Sequence, residues 1–165
     1  MKRISCLFVS ICCLMMFSGE ALSADFQIKD YIFTWTVFKA PDLTMDIVKK
    51  PEGVMVVLAS PGGKLGSISA SPEQAKAIGE ALKKTQEYYK KQMSQAEPNA
   101  NDLIEVGDFK VSFASSRGRN FEVSVTTSKI FSSAVNMSKE GALAVSPYLC
   151  QAPDMTVYMN ERIKP

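Results

Sequence analysis

The chain has 165 residues, with 19 basic side chains against 17 acidic ones, a net charge of +2, and no histidine. The lack of histidine excludes Ser-His-Asp and Cys-His catalysis and every metal site that uses imidazole. The near-neutral balance gives no bulk electrostatic drive toward nucleic acid or acidic membranes.

The first 24 residues read as a cleaved secretory signal. Lys2 and Arg3 form a positive start, Ile4 to Phe17 is almost wholly apolar, and Ser18, Gly19, Ala21, Ser23 and Ala24 supply small residues for a signal peptidase. The apolar run falls short of the ~20 residues that a spanning helix needs. Ala21 and Ser23 fit a cut before Ala24, and a cut before Asp25 is the neighbouring choice. The expected product is exported, periplasmic or extracellular, and comprises one globular domain over residues 25–165. Cys6, Cys12 and Cys13 leave with the signal, so Cys150 remains alone and no internal disulfide forms. The core must hold the fold.

A repeat organises the rest. Placing residues 53–85 over 120–152 brings Ser71-Pro72-Glu73 onto Ser138-Lys139-Glu140, and Ala75, Ile78 and Leu82 onto Ala142, Val145 and Leu149. Upstream, Val56, Leu58 and Ile68 fall on Val123, Val125 and Val135. Burial pattern and helix start coincide, which predicts an internal duplication of units 25–95 and 102–165.

In the first unit, Tyr31, Phe33, Trp35 and Val37 alternate with Ile32, Thr34 and Thr36, which predicts a strand. Leu43, Met45 and Ile47 predict a second, the apolar run Val54–Leu58 a central third, and Leu65–Ala70 a fourth after the Pro61-Gly62-Gly63-Lys64 turn. Ser71 then caps a helix, with Pro72 at its first position and Gln74 completing a capping box. Ala75, Ile78, Ala81, Leu82, Tyr89 and Met93 recur at helical spacing as its buried stripe. Residues 95–102 read as a linker.

In the second unit, Phe109, Val111 and Phe113 alternate, Ser115-Ser116-Arg117-Gly118-Arg119 turns, and Phe121, Val123 and Val125 alternate again. Ile130–Val135 is the last strand. Ser138 starts the second helix, which Pro147 is expected to kink or end. A short helix over Met155–Ile163 closes the chain. The fold class is therefore α+β: two tandem β-β-β-β-α units, antiparallel sheets each packed by one helix, plus a short C-terminal helix. The arrangement is similar to that of single-strand nucleic-acid binders of the Whirly and PUR type. No residue motif of those families is present, so the likeness is architectural and carries no function.

Several features are candidates for chemistry. Arg117 and Arg119 on a glycine turn suit a phosphate, sulfate or carboxylate, the alternative being a solvated hairpin tip. Lys83, Lys84, Lys90 and Lys91, interleaved with Tyr88 and Tyr89, suit a polyanion or form a plain exposed helix face. Pro61–Lys64 lacks the spacing of a phosphate-binding loop. The oxygen-rich stretch Glu97–Asp108 lacks the glycine and the ligand ladder of a calcium loop, so no metal or other cofactor is expected. Tyr31, Phe33 and Trp35 line either the core, as a period-two aromatic stripe usually does, or a ligand groove. Cys150 falls on Lys83 in the repeat, at a position expected to be exposed. A lone thiol there could join two chains; with the helical phase reset at Pro147 it is an inert buried cysteine.

Together these features favour an exported, non-enzymatic binding or protein-interaction module whose partner is another envelope protein or its own copy. The alternative is anion or single-stranded nucleic-acid binding through Arg117, Arg119 and the lysine-rich first helix. An enzyme built on serine and lysine is a third class, but no SxxK spacing supports it.

Overall fold

In the computed structural model, residues 30–61, 66–95, 97–128 and 133–164 are described. The expected signal segment, positions 62–65 of the first expected turn and fourth strand, and the start of the last expected strand lie outside them. The first half consists of β1 (Phe33–Lys39), β2 (Thr44–Lys50), β3 (Gly53–Ala59), β4 (Ser67–Ala70), α1 (Pro72–Leu82) and α2 (Thr85–Gln95). The second half repeats the order with β5 (Ala100–Val106), β6 (Phe109–Ser116), β7 (Arg119–Thr127), β8 (Ala134–Met137), α3 (Lys139–Cys150) and α4 (Ala152–Arg162). Each half forms a four-stranded antiparallel sheet in sequential strand order. The fold is α+β with two tandem units.

Period-two patterning makes the strands. Along β2, Met45, Ile47 and Lys49 point inward, while Thr44, Asp46 and Val48 are half-buried. Along β6, Phe109, Val111, Phe113 and Ser115 do the same. Burying each such Ile, Val or Phe contributes about 1.5–3 kcal/mol. One hydrophobic cluster joins Leu43, Met45 and Ile78 from the first half to Phe113, Val125 and Leu149 from the second, so the halves share a core.

Caps define the helix starts. At α1 both arms of the capping box are made: Gln74 N donates to Ser71 Oγ at 3.2 Å, and Ser71 N donates to Gln74 Oε1 at 2.9 Å. At α3, Gly141 N donates to Ser138 Oγ at 3.0 Å. The first half adds a clamp here, because Asp42 Oδ2 accepts from Ser138 N at 2.8 Å and from Ser138 Oγ at 2.7 Å.

The halves correspond residue by residue. β4 maps onto β8, and α2 onto α4, with a shift of 67 residues at both ends. Leu43, Met45 and Ile47 map onto Phe109, Val111 and Phe113 with a shift of 66. The extra residue enters in β7: two steps along β6, from Ala114 to Ser116, face three along β7, from Glu122 to Arg119. Asn120, inside that interval, has φ 50°, as a bulge residue in the left-handed region would.

The structure departs from the sequence reading at four places. The long first helix is two helices. The chain turns at Lys83–Lys84, where Thr85 Oγ1 donates to the Leu82 carbonyl at 2.6 Å and so competes with the continuing helix for that acceptor. The closing helix of the chain is therefore no addition but the counterpart of α2. β5 begins at Ala100, inside the expected linker. Helix α3 continues through Pro147 to Cys150 with Val145, Ser146 and Leu149 buried, so packing holds the turn that proline weakens. Finally, the Tyr31–Trp35 stripe is not core: Phe33 and Trp35 are exposed.

At the centre, α1 packs on α3. Gly79 and Ser146, equivalent under the 67-residue shift, touch there, with Ser146 Oγ donating to the Gly79 carbonyl at 2.9 Å. A Cβ on Gly79 would lie 2.9 Å from Cys150 N and from Leu149 Cβ, so only glycine permits this approach. The outer helices cross over. α2, from the first half, lies on β6 and β7 of the second, and α4, from the second half, lies on β2 of the first.

Candidate functional site

Two regions present side chains that the scaffold does not consume. The first is the border formed by β1 and α4. β1 is an edge strand whose register pairs Phe33 with Lys49 and Trp35 with Ile47. All four residues therefore lean toward the face that α4 covers. Ile47 is fully buried, and Lys49 is buried with its Nζ donating to the Ile163 carbonyl at the end of α4, where a cation also complements the helix dipole. The cover stops short of β1. Trp35 remains 40% exposed, Phe33 37% and Tyr158 51%. The rings form a row: Tyr31 and Phe33 have centroids 5.3 Å apart, Trp35 and Tyr158 6.1 Å, and the Arg162 guanidinium sits 5.2 Å above the Tyr158 ring. Beside Tyr31 opens a cleft of about 560 Å³ lined by Asp30, Ile32, Lys50, Pro51 and Glu52.

The internal repeat supplies a comparison for this border. Strand register carries Trp35 onto Asp102 and Phe33 onto Ala100, and the helix shift carries Tyr158 onto Lys91 and Met159 onto Gln92. In that half the place holds a polar network. Lys91 Nζ lies 2.5 Å from Asp102 Oδ1, and Gln92 Nε2 donates to Asp102 Oδ2 at 2.9 Å and to the Phe113 carbonyl at 2.8 Å. Burial pushes the Asp102 carboxyl up, but hydrogen bonds from Gln92 and Lys91 outweigh it and leave its pKa below the ordinary value. The bond to Asp102 in turn raises Lys91. One scaffold position thus holds a hydrogen-bonded ion pair in one half and an aromatic pair in the other.

The second region is a cleft of about 350 Å³ at the β6–β7 hairpin. Tyr89 and Met93 of α2, Gly118–Phe121 of the hairpin, and Ser138–Glu140 at the start of α3 line it. The hairpin turn places both Arg117 (φ 52°) and Gly118 (φ 63°) in the left-handed region, and Arg117 N donates to the Glu97 carbonyl at 2.8 Å. Lys139 Nζ lies 4.2 Å from the centroid of the Tyr89 ring, which meets Phe121 edge-on at 5.3 Å. A neighbouring cleft of about 440 Å³, sharing Asn120, Phe121 and Ser138, is lined by Asp42, Glu122, Asn136 and Met137.

The residues singled out from the sequence take different positions. Arg117 and Arg119 are exposed at the hairpin, and only Arg119 lines the cleft. Lys83 and Lys84 sit in the α1–α2 turn, where Lys83 pairs with Glu80 at 2.7 Å. Lys90 and Lys91 lie on α2, and Lys91 is held by Asp102. Cys150 is half-buried against α1; burial pushes its thiol up, and a hydrogen bond with Glu80 adds to the shift. Sequence reasoning missed Lys139, which shares the cleft with Arg119, because its place in the repeat matched Pro72 only as part of a helix start. It also missed Tyr158, which stands on the helix read as a short terminal addition.

Among the described residues, no group of three or more acidic or cysteine side chains is placed to hold a metal ion, and no helix is long and apolar enough to cross a membrane. The sequence matches no family model and no curated protein. Among solved structures it is similar to a protein of unknown function of the DUF155 family from Prochlorococcus sp. NATL2A, at 10% identity and a TM-score of 0.46, over 68% of this chain and 96% of that one.

Proposed function

We propose that the chain is an exported, non-enzymatic interaction module that holds an extended segment of an envelope protein, or of its own copy, along the β1–α4 border. The single observation that carries this reading is the exposed ring row of Phe33 and Trp35 on an edge strand with Tyr158 of α4, at a place where the other half holds the Lys91–Asp102 ion pair. An edge strand offers unpaired backbone donors and acceptors to an added strand, and flanking rings supply apolar contact with little entropy to lose. The positive start and apolar run of the leader support export.

Site-specific photocrosslinking in the producing cell tests both parts. A photoreactive residue at Phe33 is expected to give a discrete adduct in the exported fraction. The same residue at Leu103, exposed on the counterpart edge strand β5, is expected to give none. Equal labelling at both positions, or none at Phe33, removes the border as a recognition surface. Recovery of the product inside the cell with residues 1–24 still attached removes export.

A further inference from the structure

We infer that the cleft between the β6–β7 hairpin and the start of α3 binds an aromatic oxyanion, a flat ring bearing a phosphate or carboxylate, with Arg119 and Lys139 on the anion and Tyr89, Phe121 and Met93 against the ring. The site shares no residue with the β1–α4 border and stands independently of the role proposed there.

Three observations on this cleft converge. Its cations come from different elements, Arg119 from the hairpin and Lys139 from the first turn of α3, and both line one space of about 350 Å³. That volume lies within the ordinary range for small-ligand clefts. Lys139 is fixed in advance. Its side chain is only 24% exposed and its ammonium rests on the Tyr89 ring, while its ion-pair partner Glu140, at 3.3 Å on the cleft rim, is 76% exposed. Arg119 makes no ion pair among the described residues, so its guanidinium is left to a ligand. Such a fork grips phosphate or carboxylate through paired N–H bonds, and the rings and thioether supply the apolar wall.

The repeat again shows what the scaffold does not require. Under the 67-residue shift Lys139 falls on Pro72, Phe121 on Val54 and Tyr89 on Thr156, and Arg119 belongs to the hairpin stretch matched by Glu52 and Gly53. At the four counterpart positions the chain therefore carries no cation and no ring. The first half forms the same sheet and helices with other side chains at these positions. The bulge at Asn120 is likewise confined to the second hairpin, and it lies between Arg119 and Phe121, the cation and the ring it separates.

The test is a titration of the isotope-labelled processed protein, followed by amide and side-chain resonances, with phenyl phosphate and benzoate as probes. Saturating shifts are expected at Arg119, Asn120, Lys139 and Tyr89. Arg119→Gln is expected to weaken binding about tenfold or more, since charge-assisted bonds of this kind carry that factor. Lys84→Gln, in the α1–α2 turn, should leave it unchanged. Because Arg119 is exposed, its variant should keep the remaining spectrum and serves even where a Lys139 variant fails to fold. The inference is overturned if neither probe saturates, if Arg119→Gln binds as well as the parent, or if benzyl alcohol or inorganic phosphate alone binds as tightly as the aromatic anions.

Discussion

Asp42 shows how one side chain ties the halves together. Its carboxylate takes the backbone N–H and the hydroxyl of Ser138, 96 residues away, and so supports the cap of α3 from outside the unit. Burial pushes Asp42 up, but the two bonds from Ser138 prevail and leave its pKa below the ordinary aspartate value. A carboxylate depressed in the folded state stabilises fully above its unfolded pKa, and the contribution is lost as pH falls through the lower folded value. Asp42→Ala is therefore expected to cost about 1–2 kcal/mol at neutral pH, the range for losing a helix cap. The gap between parent and variant should narrow as pH drops below about 4, near the ordinary aspartate pKa. Denaturant midpoints across pH check this, and a gap that stays constant to pH 2 contradicts it. Local chemistry of this kind is only half legible in sequence. The Ser71–Gln74 box was legible because both partners lie within one turn. The Asp42–Ser138 bond was not, because nothing local brings those residues together.

At the scale of elements, period-two alternation tells which residues share a face but not whether another element covers that face. The Tyr31–Trp35 stripe has the pattern of a core strand, yet α4 ends its cover at Ile47 and Lys49 and leaves the rings open. β5 shows the opposite error. Its inner face carries Asp102, whose partners Gln92 and Lys91 lie on a helix from the other half, so no apolar alternation announced the strand. The second helix of the first half was obscured because Thr85 breaks the first one without glycine or proline. The α1–α3 contact was equally silent, since a glycine in a helical pattern signals cost rather than closeness. Gly79→Ala should force α1 away from Leu149 and Cys150 and cost about 1–3 kcal/mol, as overpacking does. Calorimetry should show a melting temperature lower by several degrees. An unchanged melting temperature would mean that the two helices are free to separate without loss.

For the whole molecule, the crossed outer helices make the halves interdependent. α4 covers the first sheet and α2 the second, while one cluster of buried side chains runs through both. The duplicated pattern of strands, caps and buried positions was readable from sequence, but the exchange of covering helices was not, because a repeat fixes like elements and says nothing of which copy they pack on. Unfolding is expected to be a single transition. Trp35 is the only tryptophan and reports on the first half, whereas far-UV circular dichroism reports on both. The two signals should coincide across a denaturant series. Separate midpoints would show two bodies that fold on their own.

The proposed function rests on the places where like halves differ, and exchanging the border residues tests that most directly. Trp35→Asp with Tyr158→Lys gives the first half the ion pair found in the second. The measurement is the adduct formed by the photoreactive residue at Phe33 in this double variant. The account predicts retained circular dichroism and melting within a few degrees of the parent, with the adduct lost. A folded double variant that still gives the parental adduct would contradict it.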